Sequence, residues 1–332
     1  MLARATRLPL LLVIVGCLLA LGSCGDGESP TGDSGPQQAT LVLDFLPGPV
    51  HAGIYRALAA GYYEDEGIDL RIAEPSATAD TFRLVESGRA ELGIGEGIDV
   101  ATKIGAGSDV QAILALTQRP LGGLITLAGS GIRSPAELEG RSIGVTGVPS
   151  DDAVVRTEVV AAGGDPDEVR QVTIGFGGVK ALLAGKVDAF TGFIAADGVQ
   201  VELAGEPTRS FPLDRFGGPR YPGLVVFALR DEIAADPELM RAFDAATARG
   251  YRDVLADPKV GVRALLGANP EIDPRFARLS LHAHLPLFGT PAEFGNLNPA
   301  HLQELASFMV AGLLGPGVPP SRYGTSRFVP AR

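Results

Sequence analysis

The chain has 332 residues, 45% apolar and 20% charged, which is ample for a buried core and excludes global disorder. Its 28 basic and 39 acidic residues leave a formal net charge of −11, a balance that repels phosphate backbones and anionic lipid and argues against nucleic acid as a partner. With 44 glycines and 25 prolines the chain is cut into many short elements, and the roughly 300 residues beyond a leader make two domains of ordinary size.

Residues 1–23 read as a signal peptide. Arg4 and Arg7 precede an apolar run over 8–22, the length of a signal h-region and short of the ~20 residues needed to span a bilayer. The run ends in Leu21-Gly22-Ser23-Cys24, the pattern of a bacterial lipobox in which the cysteine is acylated. Cys17 is the poorer candidate, because cleavage there would cut the apolar run in half. Residues 25–38 carry no apolar side chain beyond two prolines and are expected to form a flexible tether spanning ~20 Å. With Cys17 removed and Cys24 lipidated no thiol pair is left, so neither a disulfide nor a cysteine metal site is expected. The mature chain is expected outside the cytoplasmic membrane, anchored to it by lipid alone.

Further along, 40–45 is rich in β-formers and runs into a Pro/Gly break at 47–49. Residues 53–63 predict a helix with Ile54, Ala57, Leu58 and Gly61 on one face. Strands are predicted over 68–72, 91–94, 110–116 and 123–128, with a helix over 80–87. Ser134-Pro135-Ala136-Glu137 supplies an N-cap, a proline at the first helical position and a capping-box glutamate. The cap-then-proline pattern recurs at Asp165, Asp236, Asp257 and Asn298. From Pro237 a helix carries Leu239, Phe243, Ala246, Gly250 and Val254 on one stripe. Strands alternating with helices predict α/β layers with mainly parallel sheets. A strand, helix and strand series from 141–145 to 188–192, then 224–229 and a mostly helical remainder, fit a middle domain inserted into a discontinuous first one. That is the layout of two lobes joined by two crossing segments, with lobe I at 39–126 and 227–332 and lobe II at 127–226.

Several segments in this order resemble the type II periplasmic substrate-binding proteins of the family shared with the fungal thiamine-pyrimidine synthase. They are Leu43-Asp44-Phe45-Leu46-Pro47, His51-Ala52-Gly53-Ile54-Tyr55, Gly61-Tyr62-Tyr63 and Glu66-Gly67-Ile68, then Ser87-Gly88-Arg89-Ala90-Glu91-Leu92-Gly93-Ile94 and Gln118-Arg119-Pro120-Leu121. Leu138-Glu139-Gly140-Arg141-Ser142-Ile143-Gly144-Val145, Gly185-Lys186-Val187-Asp188-Ala189, Gly198-Val199 and Tyr221-Pro222 complete the series, which covers about residues 40–290. The resemblance implies a periplasmic-binding-protein-like α/β fold of type II. It further implies a monomeric carrier that closes on a small, flat heteroaromatic solute of the thiamine-pyrimidine-precursor kind and delivers it to the permease and ATPase of an ABC importer. Sulfonate- or nitrate-like anions are the alternative solutes, since close cousins of this fold bind them.

In such a fold the loops leaving the carboxyl ends of the strands contact the ligand. Asp44 and Phe45 end the first strand and Pro47 stiffens the turn; Phe45 stands where the family has Trp, either stacking on the ligand or packing in the core. His51 opens the next helix, donating either to the ligand or to the preceding loop. Glu96 follows a strand and faces either cleft or solvent. Gln118 and Arg119 end another strand, and Arg119 contacts either the ligand or the opposite lobe. Ser150 and Asp151 open a helix whose free N–H groups suit an acceptor, with Asp151 either a contact or a first-turn acid. Phe193 and Asp197 follow a later strand, where the family shows an aromatic and then Asn-Glu-Gly-Val against Ala196-Asp197-Gly198-Val199 here. Tyr221 precedes the second crossing. His282, His284 and His301 read as ordinary surface or core histidines. The fungal synthase consumes its own histidine and a lysine-bound pyridoxal phosphate; this chain has Gly95 and Asp99 at those places and lacks its cysteine cluster. No catalytic residue, cofactor or metal is therefore expected.

Overall fold

The computed structural model describes residues 35–76, 80–148, 150–311 and 314–330; the expected signal peptide, Cys24 and most of the expected tether lie outside them. Ten strands are described in chain order: β1 (Gln37–Val42), β2 (Ile68–Ala73), β3 (Leu92–Glu96), β4 (Val110–Ala115), β5 (Gly122–Leu127), β6 (Ser142–Val145), β7 (Arg170–Thr173), β8 (Ala189–Phe193), β9 (Thr208–Pro212) and β10 (Leu224–Leu229). They form two five-stranded sheets, ordered β2-β1-β3-β10-β4 and β7-β6-β8-β5-β9. β1 begins within the segment read as tether, since Gln37 and Gln38 pair with Ile68 and Asp69.

The pairings correct two expectations. β5 was expected to close the first lobe, yet it pairs with β8 and β9 in the second sheet. The chain thus crosses between the sheets at 116–121 and returns at 213–223. The sheets are also mixed rather than mainly parallel: β1, β2 and β3 run parallel, as do β6, β7 and β8, but β10 and β5 are antiparallel to both of their neighbours. The cause is common to both. β5 and β10 are the strands entered directly after a crossing, so they start at the sheet end where the others finish: Gly122 pairs with Phe193, and Leu224 with Glu96.

Helix packing positions the loop after β1. The helix Pro237–Ala256 buries the expected stripe, including Phe243, Gly250 and Val254, and its Asp236 cap accepts from the Leu239 N–H at 2.9 Å. A side chain at Gly250 would collide with the Gly53 carbonyl, so the helix Ala52–Ala59 crosses at backbone contact. That closeness brings the Tyr251 hydroxyl within 2.7 Å of the Val50 carbonyl, to which it donates. The helix expected over 53–63 ends early because Gly61 turns left-handed at φ 72° and restarts the chain in a short helix, Tyr62–Asp65. Asp257 and Asn298 also cap their helices, whereas Pro135–Leu138 is a single 3₁₀ turn that Ser134 does not cap. Each fully buried Leu, Ile or Phe contributes roughly 1.5–3 kcal/mol. Two acids enter the cores without a charge: burial pushes Glu158 up to about 9 and holds Asp244 far above the carboxylate range.

Candidate functional site

Where the strand ends of the two sheets face one another they enclose a cavity of about 290 Å³. Ten residues selected from the sequence line it: Asp44, Phe45, Pro47, His51, Glu96, Ser150, Asp151, Phe193, Asp197 and Tyr221. Gln118 and Arg119 do not. Gln118 donates its backbone N–H to the Leu287 carbonyl at 2.7 Å, and Arg119 Nε donates to Asp214 Oδ2 at 2.7 Å. Their strand, β4, runs into the first crossing instead of a cleft loop, and Asp214 lies on the second crossing, so Arg119 ties the two crossings together.

On the side of the first sheet, the chain leaves β1 and turns back through 47–49, bringing His51 beneath Asp44. His51 is buried; its Nδ1 accepts from the Gly48 N–H at 3.2 Å, which leaves the proton on Nε2 for Asp44 Oδ1 at 2.8 Å. Both ring nitrogens are spent within the protein. The histidine therefore bonds the preceding loop rather than a ligand, and it orients the Asp44 carboxylate. Glu96, at the end of β3, is raised well above the carboxylate range by burial and by the nearby Asp99, Asp151 and Asp44 charges. Asp99, one turn further on, is pushed up to about 6 by burial, against an opposing hydrogen bond from the Ser150 hydroxyl. Burial and the neighbouring Glu96 and Asp99 charges likewise push the Tyr221 hydroxyl up.

The second sheet contributes the opposite wall. Asp151 serves the wall itself. Its Oδ2 accepts from Thr146 Oγ1 and from the Gly147 and Val148 N–H groups, and its Oδ1 from Thr191 Oγ1 at 2.7 Å. Asp197 sits in the turn Ile194–Gly198, where Oδ2 accepts from the Phe193 N–H at 2.8 Å and burial pushes the acid up to about 6. A Cβ on Gly192 would lie 2.6 Å from that oxygen, so glycine there gives the carboxylate its place. Phe45 meets Phe176 edge to face across the cleft, their centroids 4.1 Å apart.

Several lining residues were not selected from the sequence: Asp99, Phe176, Thr191, Gln200, Phe276 and His284. Phe176 follows β7 in a Gly-Phe-Gly run with no distinguishing signal. His284 had one, since it shares the buried stripe Ala277, Ser280 and Leu281 at helical spacing. Among the described residues no lysine or arginine lines the cavity, and no group of three or more His, Cys, Asp or Glu residues is placed to hold a metal ion. The charged side chains of the lining are all carboxyl groups, set among aromatic rings, aliphatic side chains, glycines and a few hydroxyls.

Two mixed sheets crossed twice by the chain, with a ligand-sized cavity between their strand ends, define the α/β periplasmic-binding-protein fold of type II. The alkanesulfonate-binding protein of Xanthomonas axonopodis superposes with a TM-score of 0.68 at 16% identity, covering 88% of this chain and 99% of that one. The periplasmic nitrate-binding protein of Synechocystis does so at 0.65 and 10%, covering 88% and 87%. The chain belongs to the NMT1/THI5-like family, whose model matches residues 48–260. It is 29% identical to the formylaminopyrimidine-binding protein of Halalkalibacterium halodurans over 76% of this chain and 78% of that one. It is 27% identical to the 4-amino-5-hydroxymethyl-2-methylpyrimidine phosphate synthase of Saccharomyces cerevisiae, over 70% and 72%.

Proposed function

We propose that this protein is the solute-binding component of an ABC importer, a lipoprotein held at Cys24 outside the cytoplasmic membrane. It captures a small, flat aminopyrimidine-like solute between two lobes and hands it to the permease. The lobes correspond to the two sheets, with 116–121 and 213–223 as the hinge. The observation that carries this is the lining: several carboxyl groups and aromatic rings with, among the described residues, no lysine or arginine. An aminopyrimidine offers two π-faces and an N–C–NH₂ edge, and a carboxylate can accept from the amino group and a protonated ring nitrogen together. A sulfonate or nitrate would need arginine, lysine or converging N–H groups, and would meet the Asp44, Asp99 and Asp197 carboxyl groups instead. The same lining does not fit pyridoxal phosphate, for it has no lysine to carry the aldehyde and no cation for the phosphate, which supports a carrier over a synthase.

The test is a thermal-shift panel on the full chain in mild detergent. 4-Amino-5-hydroxymethyl-2-methylpyrimidine or its formylaminomethyl counterpart, at about a hundred times its Kd, stabilises by about 2.7 kcal/mol and raises the melting point by roughly 5 °C or more. Alkanesulfonates and nitrate leave it unmoved. A shift with a sulfonate and none with any pyrimidine would overturn the assignment.

A further inference from the structure

The helix Pro274–His284 meets both walls of the cavity. Ser280 Oγ donates to the Ala195 carbonyl at 2.7 Å, docking the helix on the turn that carries Asp197. One turn on, His284 is fully buried, with Nδ1 2.8 Å from the Ser280 carbonyl oxygen. A carbonyl only accepts, so Nδ1 holds the proton and Nε2 is left with its lone pair. That nitrogen has no hydrogen-bond partner among the described residues, and the residue lines the cavity. Burial brings its pKa down to about 4, so the ring stays neutral at ordinary pH. A buried acceptor left unpaired is costly, and a ligand donor that reaches it removes the cost. The helix lies beyond residues 48–260, the stretch matched by the family model.

We propose that His284 is a specificity-determining residue: its Nε2 accepts from an N–H or O–H group of the solute separate from the amino group that meets Asp197, so the cleft selects heteroaromatics bearing two separated donors. This rests on the aminopyrimidine assignment above. The experiment is titration calorimetry of the full chain with two probes differing by one hydroxyl, 4-amino-5-hydroxymethyl-2-methylpyrimidine and 4-amino-2,5-dimethylpyrimidine. The wild type prefers the first by about tenfold or more, because a site built around a donor rejects the analogue lacking it. In His284→Leu the preference falls below about twofold, through weaker binding of the hydroxylated probe alone. His284→Gln, whose amide oxygen still accepts, keeps part of it, and Asp197→Asn weakens both probes alike. On the wild type itself, ¹⁵N NMR of labelled histidine shows the Nε2 resonance moving upfield with the first probe and not with the second, a readout independent of how the variants fold. A preference undiminished in His284→Leu, or two probes bound equally well by the wild type, overturns the role of His284 alone. Binding of neither probe removes the aminopyrimidine assignment and this proposal with it.

Discussion

Replacing Asp197 with asparagine is expected to weaken solute binding at pH 7 by tenfold or more. The carboxylate is a half-buried acceptor lining the cavity from the second sheet, and a charge-assisted pair to an amidine-like edge is worth roughly 1.5–3 kcal/mol. Asparagine keeps an oxygen for the Phe193 N–H, so the turn itself survives. The pH profile separates this from a packing defect. With the acid pushed up to about 6, its ionised fraction falls to about a tenth between pH 7 and pH 5, and the affinity for a ligand of constant charge falls by about the same factor. The variant lacks that slope. For the free protein the sign is opposite: a folded-state pKa above the unfolded value of 3.8 means stability is lost as pH rises from about 4 through 6. The variant should therefore melt at or slightly above the wild-type temperature at pH 7. Calorimetry from pH 5 to 8 decides the matter, and a slope that persists undiminished in the variant would move the titrating contact to Asp99.

Truncating Phe45 should cost nearly as much. Its ring lines the cavity and also meets Phe176 from the opposite wall. Stacking on a flat ligand adds about 1 kcal/mol beyond burial, as does one edge-to-face pair. We expect Phe45→Ala to weaken binding about tenfold and Phe176→Ala about fivefold. The double variant should lose less than the two effects combined, because each single change already removes the shared contact. Affinity unchanged in Phe45→Ala would mean that the two rings serve only each other.

Legibility followed the distance over which each feature is determined. The stripe from Leu239 to Val254 and the caps at Asp236, Asp257 and Asn298 are set within one or two turns, and the chain adopts them as written. Residues following β1, β3 and β8 could be assigned to a cleft because a parallel strand's carboxyl end fixes where its loop emerges. Gln118 and Arg119 follow β4 in the same way, but whether the chain then enters the cleft or crosses to the other sheet is decided by partners a hundred residues away. β5 failed for the same reason, since an apolar run states that it pairs and not with which sheet. His284 reaches the site only because its helix docks on Ala195, a contact between segments about 85 residues apart.

The place of β10 bears on how the chain assembles. It lies between β3 and β4 yet follows all five strands of the second sheet, so the first sheet lacks an interior strand until the chain is made past residue 224. Joining β4 to β10 closes a loop of about a hundred residues, an entropic cost that must be met before the pairing rewards it. The second sheet needs only residues 122–212 and carries no such delay. Folding should accordingly proceed from the inserted half outward, with amides of β5 to β9 protected in pulse-labelled hydrogen exchange before those that β3 and β4 share with β10. Simultaneous protection of both sets would show that the two sheets condense as one unit.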